Sequence, residues 1–154
     1  MSRRGRLVAE GLIALVAAAA TVFVLNRGPN IIKPDNPCAT PPPLQRFHGV
    51  TLQPLAMHAY RRANMLAGRL IAVIQSYRSC KQQAEACVKV CGVASGCKDR
   101  CAKPGTSYHQ LGAAIDVSQA MLDSTKVVMA LKDAGWCQSV PASDPGHWSY
   151  GGCH

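Results

Sequence analysis

The stretch Ser107-Tyr108-His109-Gln110-Leu111-Gly112-Ala113-Ala114-Ile115-Asp116 places an imidazole and a carboxylate close together in the chain, with a glycine between them. A histidine in a loop and an aspartate on the strand that follows converge if Gly112 lets the backbone turn. The small Ala114, on the same strand face as Asp116, leaves room there for an ion. Near the C-terminus, Asp144-Pro145-Gly146-His147 supplies a second histidine with a carboxylate three residues before it. Two histidines and one aspartate make an open tetrahedral zinc site, whose fourth position holds a water made nucleophilic towards an amide carbonyl at neutral pH.

Such chemistry also needs a carboxylate near the metal but not bound to it, to take the water's proton and pass it to the leaving amine. Beyond residue 25 the chain has seven acidic side chains, and Asp116 is assigned to the metal. Asp35 falls in a proline-rich stretch, Asp99 in a cysteine-rich one, and Asp123 and Asp133 flank a later helix, which points to Asp144 as the base. His48, His58 and His154 have no comparable company and read as structural or exposed. Trp136 and Trp148 read as packing residues.

Several elements must position these groups. Between Pro54 and Leu70, Leu55, Ala59, Ala63, Leu66, Ala67 and Leu70 follow helical spacing, leaving Arg61, Arg62 and Arg69 to solvent. Leu70 to Tyr77 is short, β-branched and aromatic, hence a strand. Lys81 to Val90 suits a helix, Gly112 to Val117 a strand, Ser124 to Ala134 a helix closed by Gly135, and Trp148 to Tyr150 the start of a last strand. Helices mixed with antiparallel strands, without regular alternation, predict an α+β fold.

Residues 87–101 are too poor in large apolar side chains to be core and read as a disulfide-tied loop. Their Cys-x3-Cys, x5, Cys-x3-Cys spacing also admits a structural zinc, although x3 is not the usual knuckle and exported thiols oxidise. All eight cysteines lie beyond the apolar N-terminal segment, which fits disulfides formed in an oxidising compartment. Their pairing is open, since eight cysteines allow about 105 arrangements.

Arg3, Arg4 and Arg6 precede an almost wholly apolar run from Leu7 to Leu25, broken by Glu10. The basic flank predicts an N-terminus inside and the rest translocated. A retained anchor is the favoured reading, because the apolar run continues past Ala17 to Ala20; signal cleavage in that alanine run is the alternative. Residues 1–25 are therefore expected to be a membrane segment, 26–43 a Pro-rich linker stapled to the domain through Cys38, and 44–154 one catalytic domain. The formal charge is +9, and +7 remains without the first 25 residues. Nucleic acid, anionic lipid and anionic wall polymer would each satisfy that charge.

Taken together, S-x-H-x-x-G-x-A-x-D followed by a carboxylate-x-x-His and an aromatic resembles the D-alanyl-D-alanine metallocarboxypeptidase family, whose relatives include L-alanyl-D-glutamate endopeptidases of phage lysins. The match covers about residues 54–152, and its five fixed letters would arise by chance in roughly one chain of this length in ten thousand. A second family element, Tyr-Arg-Ser then Gln, is present as Tyr77, Arg78, Ser79 and Gln83. The resemblance implies a hedgehog/DD-peptidase-like fold with a small antiparallel sheet flanked by helices. It implies Zn2+ on His109, Asp116 and His147, Asp144 as base, and substrate contacts from Arg78, Ser107, Gln83 and Tyr77. Arg78 would bind a peptide carboxylate or the oxyanion of the attacked carbonyl.

The implied partners are peptidoglycan stem peptides, with the cytoplasmic membrane held through the N-terminal helix and no nucleic acid. Removal of a terminal D-alanine is the simplest activity. A lytic endopeptidase and a non-catalytic disulfide-rich wall-binding module are the alternatives. Two departures bear on substrate choice: Gln75-Ser76 stands where the family usually has Ser-Gly, and Gly146 where it usually has an aromatic that walls the cleft. Asp144 also replaces the commoner glutamate.

Overall fold

The computed structural model describes residues 31–98, 100–140 and 144–152. The membrane segment expected over residues 1–25 lies outside these. Among the described residues no helix is long and apolar enough to cross a membrane. From Ile31 onward the chain groups into one compact unit.

The chain enters through a hairpin of β1 (Gln45–Phe47) and β2 (Val50–Leu52), paired antiparallel with Phe47 opposite Val50. His48 and Gly49 form its two-residue turn, both at positive φ (45° and 82°), which suits the twist of a tight hairpin. Helix α1 (Pro54–Ala67) follows, with proline in its first turn, where a missing N–H costs nothing. It ends at Gly68, whose left-handed conformation closes the helix before the expected Leu70. Its buried stripe is Ala56, Met57, Ala59, Tyr60, Ala63 and Ala67, whereas Leu55, Leu66 and Leu70 are exposed. Small alanines on the inner face allow close packing against a later helix, so the larger leucines of the expected stripe turn outward.

Strand β3 is only Val73–Gln75, shorter than the expected Leu70 to Tyr77. Helix α1 competes for the backbone at its start: Ile71 N–H donates to Asn64 Oδ1 and Tyr60 O–H donates to the Ile71 carbonyl. Helix α2 (Cys80–Cys91) begins with a capping box in which Ser79 and Gln82 satisfy each other's backbone donors. After it come β4 (Ala114–Val117), a short α3 (Gln119–Leu122), α4 (Thr125–Asp133), β5 (Trp136–Cys137) and β6 (His147–Tyr150). The main sheet is antiparallel, in the order β3-β4-β6-β5. Its core, with α1 and α4, centres on Tyr60, Ile115, Leu131, Trp136 and Trp148, all nearly inaccessible to solvent. The α+β expectation and the packing role of both tryptophans hold.

Disulfides join Cys38 to Cys80, Cys87 to Cys101 and Cys91 to Cys97, and Cys137 is disulfide-bonded too. The structural-zinc alternative for the cysteine loop is thereby excluded, because all four of its sulfurs are spent in bonds to one another. The Cys38–Cys80 bridge staples the proline-rich stretch as expected. That stretch also packs: Pro37 and Pro42 are buried, and Ile32 N–H donates to Gln53 Oε1.

Candidate active site

Asp116 lies mid-sheet, with Gln75 paired to it on β3 and His147 directly opposite on β6. Side chains of paired residues in an antiparallel ladder leave the same face, so Asp116 and His147 converge. His109 reaches them from the loop before β4. Gly112, at φ 61°, makes the turn, and its N–H donates to the His109 carbonyl. A Cβ at Gly112 would also lie 2.8 Å from Leu44 Cδ2 and 2.9 Å from Gln53 N, so the site requires glycine for both conformation and space. Ala114, on the same strand, is fully buried.

Three donor atoms form a nearly equilateral triangle. His109 Nε2 is 3.2 Å from His147 Nδ1 and 3.2 Å from Asp116 Oδ1, and His147 Nδ1 is 3.1 Å from Asp116 Oδ1. His109 Nδ1 lies 2.6 Å from the Ser76 carbonyl, an acceptor, so it carries the ring's N–H and leaves Nε2 as a bare lone pair. That lone pair faces a carboxylate oxygen, and two acceptors at this distance need a proton or a cation between them. A tetrahedral zinc with ligands at about 2.0–2.1 Å needs donor separations of about 3.3–3.4 Å, close to those found. The residues present therefore fit a zinc ion with one corner left for a reactant. The Ser76 carbonyl is the outer partner that fixes the His109 tautomer.

Burial pushes the Asp116 carboxyl upward, but a positive charge held against it, as a shared proton on the facing His109 and His147 rings, outweighs burial and holds the group well below the usual carboxylate range. It is poised as an anion.

The triad opens into a cleft of about 1170 Å³ also lined by Arg78, Ser107 and Asp144. Asp144 is exposed on the turn before β6, and its carbonyl accepts from His147 N–H. Arg78 Nη2 is 3.8 Å from Asp116 Oδ2. Burial lowers the guanidinium from its ordinary value, opposed by the charges of Asp116 and Asp144, which places both carboxylates in its field. Ser107 is buried, and its Oγ accepts from His109 N–H.

Two expected substrate residues stand differently. Gln83 is only 2% exposed, and its amide is committed: Oε1 accepts from Arg78 Nη1 at 2.8 Å and Nε2 donates to the Ala102 carbonyl at 2.8 Å. Tyr77 lines a separate depression with His48, Tyr60 and Val73. Both residues of the Gln75-Ser76 departure also find partners, since Gln75 accepts from Arg78 Nη2 and Ser76 Oγ accepts from Thr51 N–H. Gly146 sits where the chain is closely approached, since a Cβ there would lie 3.1 Å from the Val117 carbonyl and 3.4 Å from Asp144 Oδ1.

Sequence reasoning missed Gln53 and Gln110, both buried. Gln53 Nε2 donates to the Leu111 carbonyl, and its backbone N–H donates to the Gly112 carbonyl. Gln110 Oε1 accepts from Gly105 and Ser107 N–H groups, while its Nε2 lies against Cys80 Sγ. These amides clamp the loop that carries His109. No local pattern announces them, because each partner is distant in sequence or lies in a turn.

A protein-family model of D-alanyl-D-alanine carboxypeptidase, VanY, matches residues 52–148, more than half of the chain. The chain belongs to that family. No curated protein matches it. Among solved structures, this VanY-family chain is similar to a vancomycin-resistance D,D-pentapeptidase VanY in complex with Zn(II), with 21% identity, TM-score 0.54, and 74% of this chain and 84% of that one covered. VanYB in complex with D-alanine-D-alanine gives 20% identity and TM-score 0.54, covering 71% and 77%. The LD-carboxypeptidase LdcB gives 21% identity and TM-score 0.50, covering 81% and 70%. At these identities the likeness establishes a shared fold, as the resemblance implied.

Proposed function

We propose that this VanY-family chain is a zinc-dependent carboxypeptidase that removes the terminal D-alanine from peptidoglycan stem peptides. The observation that carries the reading is the donor triangle of His109, Asp116 and His147, opening into a cleft shared with Asp144 and Arg78. Zinc bound there would supply Lewis-acid polarisation of the scissile carbonyl and a nucleophilic water at neutral pH.

The chain's own residues do the rest. Asp144, exposed in the cleft and outside the triad, accepts a proton from the attacking water and returns it to the leaving amine as the amide bond breaks. Arg78 presents its guanidinium to the substrate's terminal carboxylate or to the charge that develops on the carbonyl oxygen, held in place by Gln75 and Gln83. Ser107 fixes the His109 backbone and borders the same space. Solved relatives holding Zn(II) and D-alanine-D-alanine support both the metal and the substrate class.

The disulfides support a site of action in an oxidising compartment, and the apolar run after Arg6 supports attachment to the outer side of the cytoplasmic membrane.

The test is mass analysis of defined stem peptides incubated with the full chain, with and without a chelator. Chelator-sensitive release of free D-alanine supports the reading. Cleavage at internal bonds would reassign the protein as an endopeptidase, and wall binding without any product would make it a non-catalytic module.

A further inference from the structure

Four cations share the cleft with Arg78 and the carboxylates of the metal site. Asp116 and Asp144 lie at the metal end, whereas Lys89, Lys98, Arg100 and Lys103 line the same cleft from α2 and the disulfide-tied lobe. By sequence, residues 87–103 carry these four basic side chains and one carboxylate, Asp99. Among the described residues, none of the four cations forms an ion pair; the ion pairs found all converge on Asp116. All four are exposed.

The lobe is a fixed wall. Cys87–Cys101 and Cys91–Cys97 close it twice, and Cys97 and Cys101 also pair through their backbones. A Cβ at Gly96 would lie 2.6 Å from the Cys101 carbonyl, so the turn is packed against its own base. Gln83 then registers the wall to the reacting end, bonding Ala102 on one side and Arg78 on the other. A stapled backbone need not be ordered again when its side chains bind, and a local cluster of cations on one wall concentrates the opposite charge. Ala86, Val90 and Val140 add apolar surface to the lining of the same cleft, which suits a peptide chain better than a polymer of bare phosphates.

From this we infer that the stapled lobe is a specificity subsite for an acidic peptide, reading carboxylates remote from the scissile amide. The inference rests on the peptidase reading for the identity of the reacting end, while its own content is the preference for carboxylates.

The test uses the full chain loaded with zinc, and a triple variant with Lys98→Ser, Arg100→Ser and Lys103→Ser. Two pentapeptides ending in D-alanyl-D-alanine are compared, one with free side-chain carboxylates on the preceding residues and one with those carboxylates amidated. Binding is read by fluorescence anisotropy and turnover by D-alanine release. The parent protein is expected to favour the acidic peptide, and the triple variant to raise its KM about tenfold with kcat unchanged. The amidated peptide should change less than twofold. Raising potassium chloride from about 0.05 to about 0.5 M should shrink the parent's preference, because exposed charges are screened.

Equal handling of both peptides by the parent, with D-alanine released, overturns the subsite and leaves the peptidase reading standing. Preferential, lobe-dependent binding of the acidic peptide without turnover keeps the subsite and overturns the peptidase reading. Loss of binding only to a phosphate-rich wall polymer, with the two peptides treated alike, also overturns the inference and assigns the lobe to that polymer.

Discussion

Asp116 and His147 stand directly opposite each other in the β4–β6 ladder, with Asp116 Oδ1 3.1 Å from His147 Nδ1. A one-residue slip of β6 would send His147 to the other face of the sheet. The register is held by the burial of Trp148, whose side chain points away from the metal face into the core. Core packing thus decides that His147 joins His109 and Asp116 on one face.

Removing the metal should loosen the protein. With free zinc at about a hundred times its Kd, linkage contributes about 2.7 kcal/mol, which for a domain of this size is a Tm shift on the order of 10 °C. Asp116→Asn should abolish that zinc-dependent shift in thermal melts. An unchanged zinc response would remove Asp116 from the ligand set.

Asp144→Ala should keep both zinc and fold while lowering kcat by about a hundredfold to ten-thousandfold. Asp144 is exposed and, among the described residues, its side chain accepts no hydrogen bond, so its loss leaves no buried group unsatisfied. Steady-state rates beside zinc content check this, and full activity would refute the assignment of the base.

Arg78→Ala should chiefly raise KM or lower kcat/KM without loss of metal. Gln83→Leu should act differently, because it strips the Ala102 carbonyl of a donor and Arg78 of an acceptor inside the fold. A stability loss of about 1–3 kcal/mol is expected, with a smaller activity loss than Arg78→Ala. Denaturant titration beside kinetics separates the two; a Gln83→Leu protein of parental stability would show its amide to be dispensable.

Gly112→Ala should destabilise by roughly 1–3 kcal/mol, since alanine at φ 61° is strained and its Cβ meets the Gln53 backbone. The same change should weaken zinc binding, because His109 hangs from that turn. Melting temperature and zinc titration read the two effects independently.

Paired Cys38→Ser and Cys80→Ser should cost about 4 kcal/mol in the chain-entropy view, because that bridge closes a loop with a sequence separation of 42 residues. The shorter Cys91–Cys97 loop should cost less. Chemical denaturation of each variant would check the order, and a reversed order would mean that local packing, not loop length, sets the effect.

Residues 107–116 were legible because their geometry is local: a loop histidine, a glycine turn and a strand aspartate need no distant partner to be recognised. Helix α1 was legible by apolar spacing and α4 by its closing Gly135, whereas the Gly68 stop and the Ser79–Gln82 capping box came with the structure, and the buried face of α1 turned out to follow its alanines rather than its leucines. The β1–β2 hairpin escaped because its strands are three residues long and its turn is His48-Gly49 instead of the more telling Asn-Gly. Strand β3 was overdrawn because side chains of α1 take the Ile71 backbone groups that a ladder would otherwise use.

Residue types and short-range order thus determined by themselves that an imidazole and a carboxylate, His109 and Asp116, are brought together by a glycine turn, with His147 as a fitting third donor. Tertiary structure alone decided how cysteines pair, that Gln83 braces Arg78 from within the fold, that Tyr77 faces a different depression, and that the basic lobe shares the cleft with the metal site. The physical reason is range: a turn or a cap is settled by neighbours in the chain, whereas disulfides, buried amides and cleft walls depend on which distant segments the core brings together.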